Sequence, residues 1–187
     1  ANRVKLKLTA SGKDLDALEN QLEEEISKVR PLLKAHIISE NGDKIEEILH
    51  DFLISRNLTI STAESCTGGE LSHLITSVSG SSNYFLGGIC TYKTEKKTEI
   101  LGVSEDLIKE KTVVSAEVAE AMSLGCQKLF KTDIALSTTG VAGPNSDEFN
   151  TEIGTVFYSI RVKDFEKTFR LYLPHLERKD FMNFVSQ

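Results

Sequence analysis

The chain has 187 residues, of which 40% are hydrophobic and 27% charged, and carries a formal net charge of -6. That balance suits a globule with a core and argues against general affinity for nucleic acid or anionic membranes. Cys66, Cys90 and Cys126 are too few and too scattered for a disulfide framework and form no C-x-x-C pair, so no metal and a reducing, cytoplasmic compartment are expected.

No apolar run approaches the length of a membrane span. The opening "ANRVKLKL" has no initiator Met and enters directly into a strand pattern, as part of something longer would. In "RVKLKLTA", Val4, Leu6 and Leu8 alternate with Lys5, Lys7 and Thr9, the period of a half-buried strand. Ser11 and Asp14 are capping candidates for a helix with Leu15, Leu18, Leu22, Ile26 and Val29 on one stripe, stopped at Pro31. "HIIS" reads as a short strand and Asn41-Gly42 as a turn. Residues 1–42 thus form a small β-α-β appendage, too small for a convincing core of its own.

From residue 43 the pattern changes. Ile45, Ile48, Leu49, Phe52 and Leu53 mark an amphipathic helix ending near Asn57, and "LTISTA" follows as a strand. Leu71, Leu74, Ile75 and Val78 stripe the next helix, "LGGICTY" reads as a buried strand, and residues 94–101 as a short helix. Ser115 caps a helix carrying Val118, Ala121, Met122 and Leu129. "DIALSTTG" is a strand, and "GTVFYSIRV" and "KTFRLYL" flank a Lys163-Asp164 turn as a hairpin. This alternation predicts an α/β fold, a three-layer α/β/α sandwich whose sheet is mainly parallel and made mixed by the hairpin.

In such sheets ligands sit beyond the carboxyl ends of strands, and three strand ends are polar: "STAESCTGG", "TYKTEKK" and "STTGVAGP". At the first, Ser65 stands on a strand-to-helix turn, where a hydroxyl is exposed and neighbouring N–H groups can face a developing oxyanion. Gly68 and Gly69 permit close backbone approach, and the helix start that follows suits a phosphate or carboxylate. A plain helix cap at Ser65 or Thr67 would account for the same hydroxyls. Cys66 is a rival nucleophile, but cysteine hydrolases generally need a histidine, and His36, His50, His73 and His175 all lie away from polar strand ends.

A serine without a histidine needs another base, and the second strand end offers Tyr92, Lys93, Lys96 and Lys97. A lysine serves only when neutral, which takes a pKa drop of roughly three units, about 4 kcal/mol, through burial or a neighbouring cation. Composition leaves open which lysine is buried. The third end supplies Ser137, Thr138, Thr139, Gly140, Gly143 and Pro144, hydroxyls and N–H groups suited to an oxyanion or phosphate.

Together "AESCTGG", "TYKTEKK" and "TGVAGP" followed by "IGTV" resemble the C-terminal domain of the CinA competence/damage-inducible proteins, whose stand-alone members are nicotinamide mononucleotide amidohydrolases. The resemblance covers residues 44–187, and residues 1–42 resemble the end of the KH-like linker domain of full-length CinA. It implies a bacterial, cytoplasmic Ser-Lys hydrolase acting on nicotinamide mononucleotide in pyridine nucleotide salvage, with neither cofactor nor metal. It maps the nucleophile onto Ser65 and the base onto Lys97, with Tyr92 and Thr139 as supporting polar groups. Cys66, Thr67, Gly68, Gly69, Gly140, Gly143 and Arg178 then fall on the substrate side, Arg178 toward the phosphate. The implied partners are the nucleotide substrate and a second copy in a homodimer, without nucleic acid or membrane. After "AGP" the family's Gly-rich turn and Lys-Pro give way to the acidic "NSDEFNTEI", and Met182 stands where a second arginine is often found. A pocket that binds a nucleotide without turnover is the alternative expectation.

Overall fold

The computed structural model describes residues 4–34 and 36–187. Residues 45–187 form the expected three-layer α/β arrangement around one five-stranded sheet. Its strands are β1 (Ile60–Glu64), β2 (Phe85–Cys90), β3 (Ile134–Gly140), β4 (Thr155–Val162) and β5 (Phe165–Tyr172), in the order β2-β1-β3-β4-β5. β2, β1 and β3 are parallel, whereas β3–β4 and β4–β5 are antiparallel; the two-residue turn at Lys163 and Asp164 folds β5 back on β4.

The helices follow the apolar periodicity. They are α1 (Leu15–Leu33), α2 (Ile45–Arg56), α3 (Glu70–Thr76), α4 (Thr94–Leu101), α5 (Glu105–Lys111), α6 (Ala116–Phe130) and α7 (Arg178–Ser186). α2 ends where Asn57 turns left-handed, and α6 starts at Ser115, whose hydroxyl accepts the Val118 N–H at 3.3 Å. On the α6 side of the sheet, Ala63 and Ala135 pack against Val118, Met122 and Cys126, together with Leu101, Val103 and Ile108. On the opposite side, Leu53, Ile60, Ile75, Tyr84 and Ile134 form a second cluster. A third, of Cys66, Ala142, Val156 and Phe181, seats α7.

Because β1 is central and buried along its whole length, its polar side chains need internal partners. Ser61 hydrogen-bonds Thr132 at 2.7 Å on the α6 side, and Thr62 hydrogen-bonds Ser72 of α3 at 2.7 Å on the other. An apolar cavity of about 210 Å³ lies on the α3 side between α2, α3, α7 and the sheet, lined by Leu49, Leu71, Leu74, Leu136, Tyr158 and Ile160.

Three expectations are corrected. The flanks of α1, residues 4–10 and 36–39, are not strands, since a run of extended chain without a neighbour leaves its N–H and C=O groups unpaired. Val4, Leu6 and Leu8 stay exposed, and Arg30 instead clasps Glu40 through two hydrogen bonds of 2.8 and 2.9 Å. Second, α1 runs through Pro31 to Leu33; a proline so close to the end interrupts little of the remaining ladder. Third, β2 is an edge strand with alternating burial, not a fully buried one. Arg3, the first residue of the expected strand, lies outside the described residues.

α6 approaches α4 closely at Gly125, where a Cβ would lie 2.0 Å from the Leu101 carbonyl oxygen. Gly125→Ala is therefore expected to force the two helices apart and to lose about 2 kcal/mol or more of stability, measured by urea unfolding.

Candidate active site

Ser65 follows β1 directly, and the two glycines after it take left-handed conformations, φ +64° at Gly68 and +105° at Gly69. They carry the chain around into α3 within a few residues, as only glycine does without strain. Since β1 and β2 are parallel neighbours, the segment after β2 emerges beside Ser65: the Thr91 N–H donates to the Glu64 carbonyl at 2.9 Å. α4 begins at Thr94, and one turn later Lys97 points back into the gap. Its Nζ donates to Ser65 Oγ at 3.0 Å and to the Thr91 carbonyl at 2.7 Å.

Burial distinguishes the three lysines. Lys97 is 1% exposed, whereas Lys93 and Lys96 are exposed and Lys96 pairs with Glu99. Desolvation penalises the Lys97 ammonium and lowers its pKa to about 8, while the Glu99 hydrogen bond raises that of Lys96. At neutral pH a fraction of Lys97 is thus unprotonated beside a serine hydroxyl, the condition for proton abstraction. Cys66 is driven the other way: burial raises its thiol pKa to about 12, and it packs against Ala142, Val156 and Phe181. It is a packing residue rather than a nucleophile.

The remaining expected site residues divide. Tyr92 accepts a hydrogen bond from Arg178, whose Nη1 also donates to the Gly143 carbonyl at 2.9 Å, so Tyr92, Gly143 and Arg178 form one rim. Thr67, in the turn after β1, and Thr138 on β3 join hydroxyls at 2.8 Å. Thr139 does not reach Ser65. Strand alternation turns it to the α6 side, where it donates to the Val113 carbonyl at 2.8 Å. Gly140 closes β3, and the Val141 N–H beyond it goes to Thr155 O at 2.9 Å, so this strand end meets much of its own hydrogen bonding.

The glycine-turn amides are also committed. Gly68 N–H donates to the Ser65 carbonyl at 3.1 Å and Gly69 N–H to Glu64 Oε2 at 2.9 Å. A side chain, not a ligand, therefore occupies the start of α3, and Glu64 was the residue that sequence reasoning passed over. It precedes α3 by six positions, outside any capping spacing, so no local signal marks it. Among the described residues neither the Cys66 nor the Thr67 N–H donates to a turn or loop carbonyl, which leaves two amides next to Ser65. The acidic segment is held by Asp147, which accepts from Phe149 and Thr151, and it reaches α4 through Glu148, which accepts from Thr94 Oγ1 at 3.1 Å. Among the described residues no His, Cys, Asp or Glu cluster could hold a metal, and no helix is long and apolar enough to cross a membrane.

Fold and site together define a three-layer α/β domain with a serine–lysine pair at the carboxyl edge of its parallel strands. The chain belongs to the CinA family: residues 42–187 match the CinA C-terminal domain. A CinA-like protein of Flavobacterium psychrophilum is 47% identical over 159 residues, which is 84% of this chain and 38% of that protein. One from Cytophaga hutchinsonii is 32% identical over 180 residues, 96% of this chain and 43% of its own length. The chain thus spans less than half the length of these curated relatives. Among solved structures, a CinA superfamily protein of Escherichia coli superposes with a TM-score of 0.74 at 25% identity, covering 80% of this chain and 88% of that one. Competence damage-inducible protein A of Klebsiella pneumoniae gives 0.73 at 27%, covering 75% and 87%.

The depressed pKa has a consequence for stability. Between about 8 and the unfolded lysine value near 10.4, the unfolded chain binds the extra proton, so stability rises with pH across that window. Below it, the buried charge costs about 3 kcal/mol. Lys97→Met is expected to be more stable than wild type at pH 7 by about 1–3 kcal/mol, with the difference closing by about pH 10.5, as read by urea denaturation across pH.

Proposed function

We propose that this domain hydrolyses the carboxamide of nicotinamide mononucleotide, giving nicotinic acid mononucleotide and ammonia through a Ser65–Lys97 pair. The observation that carries the reading is the 3.0 Å hydrogen bond between a buried, readily deprotonated Lys97 and Ser65 Oγ. The family resemblance supplies the substrate. Neutral Lys97 takes the Ser65 proton as Oγ attacks the carboxamide carbon, and the N–H groups of Cys66 and Thr67 receive the oxyanion. Lys97 then protonates the departing nitrogen, ammonia leaves, and an acyl-serine remains. Water attacks this ester with Lys97 again as base, which releases the carboxylate and restores the serine.

Arg178, held toward the site by Tyr92 and Gly143, is the cation for the substrate phosphate. With the start of α3 filled by Glu64, the helix terminus first expected to receive that anion does not serve it. The acidic segment reaching α4 favours a second reading, a pocket that binds the nucleotide without turning it over.

Ammonia release from nicotinamide mononucleotide tests both. Turnover is expected in the wild type, with a loss of about 10³-fold or more in Ser65→Ala and in Lys97→Ala. Binding by calorimetry without ammonia would select the second reading. The rate should rise with pH and level off above about 8, as Lys97 loses its proton. Arg178→Ala should raise KM about tenfold or more with a smaller effect on kcat, the pattern of a lost binding contact.

A further inference from the structure

We propose that Glu64 is the positioning residue of this site, holding Ser65 and the support of Lys97 in register with one another. The inference rests on Ser65 as the nucleophile, not on the identity of the substrate. Glu64 is the last residue of β1 and is fully buried. Its carboxylate accepts four hydrogen bonds: Oε2 from the N–H groups of Gly69 at 2.9 Å and Leu71 at 3.1 Å, and Oε1 from the Ser72 N–H at 2.8 Å and hydroxyl at 2.5 Å. Among the described residues it has no cationic partner. A buried carboxylate without one is retained where backbone donors and the positive end of a helix meet its charge.

Both sides of the site depend on this residue. Through its side chain the first turn of α3 is fastened to the end of β1, which closes the turn over residues 65–68 and sets the backbone that carries Ser65. Through its carbonyl it accepts the Thr91 N–H at 2.9 Å, and the next carbonyl along that segment, at Thr91, takes the Lys97 ammonium at 2.7 Å. Movement of the carboxylate therefore displaces hydroxyl and amine relative to each other, and reactive geometry tolerates little of this. Its oxygens are filled by donors, so Glu64 acts through Ser65 and Lys97 rather than on substrate.

Glu64→Gln has nearly the same shape, but its amide nitrogen cannot accept the two N–H groups now on Oε2 or the two donors on Oε1. The test is the labelling rate of Ser65 by phenylmethylsulfonyl fluoride, followed by intact mass across pH, in wild type, Glu64→Gln and Glu64→Asp, with Lys97→Ala as the unreactive reference. In this reaction the Oγ–S bond forms, fluoride leaves, and the serine proton goes to Lys97. The expected result is a plateau rate at least tenfold lower in Glu64→Gln, with an unchanged pH midpoint, circular dichroism of the folded wild type, and partial recovery in Glu64→Asp. Labelling of Glu64→Gln at the wild-type rate overturns the inference. So does a shifted midpoint at an unchanged plateau, which would make Glu64 a charge partner of Lys97 instead. If Glu64→Gln does not fold, Glu64→Asp decides: a plateau below that of the wild type at an unchanged midpoint supports the inference, and a wild-type plateau overturns it. A wild type labelled at Ser65 but inactive on nicotinamide mononucleotide removes the proposed substrate and leaves the role of Glu64 standing; a wild type in which Ser65 stays unlabelled overturns that role.

Discussion

The arrangement turns on the burial of one ammonium group. Lys97 is enclosed with a serine hydroxyl and a backbone carbonyl as its neighbours, and no carboxylate hydrogen-bonds or pairs with its Nζ among the described residues. A lysine in that position favours its neutral form, because desolvation weighs on the charged one. A paired lysine would keep its proton; an exposed one would keep water. The fold accepts a less stable interior here and holds an amine whose neutral form becomes accessible near pH 8.

Charge is handled in the opposite way one strand away. Glu64 is equally buried, yet four donors converge on its oxygens, so its polar atoms are fully satisfied inside the fold. The two residues show how environment assigns roles to charged side chains within a small volume. Lys97, without a carboxylate partner, is shifted toward its neutral amine, and the Glu64 carboxyl group ties the start of α3 to the end of β1. The same side chain occupies the start of α3, and the cation Arg178 is held separately, by the Gly143 carbonyl and the Tyr92 hydroxyl.

Residues 4–43 stand apart in character. The apolar stripe of α1 includes no buried residue, and ion pairs such as Arg30 with Glu40 hold the segment together locally. A helix of that length is specified by its own capping at Asp14 and its periodicity, whereas a strand exists only in relation to another strand. That is why the helix of the expected β-α-β unit is found and its strands are not.

The sequence by itself determined what depends on neighbours along the chain. The alternation of strands and helices, the Ser115 cap, the hairpin around Lys163 and Asp164, and the concentration of hydroxyls, glycines and lysines at three strand ends were all legible, because periodicity and turn chemistry are local. The CinA relationship was legible for a related reason, resting on contiguous motifs. The tertiary structure alone decided which lysine is enclosed, that Thr138 rather than Thr139 faces Thr67, and that Glu64 rather than a ligand meets the start of α3. The first depends on two parallel strands bringing Ser65 and Lys97 together from 32 residues apart, the second on hydroxyls 71 residues apart, and the third on the path the glycine turn takes after β1. Burial and desolvation are properties of that packing, and no single stretch of chain encodes them.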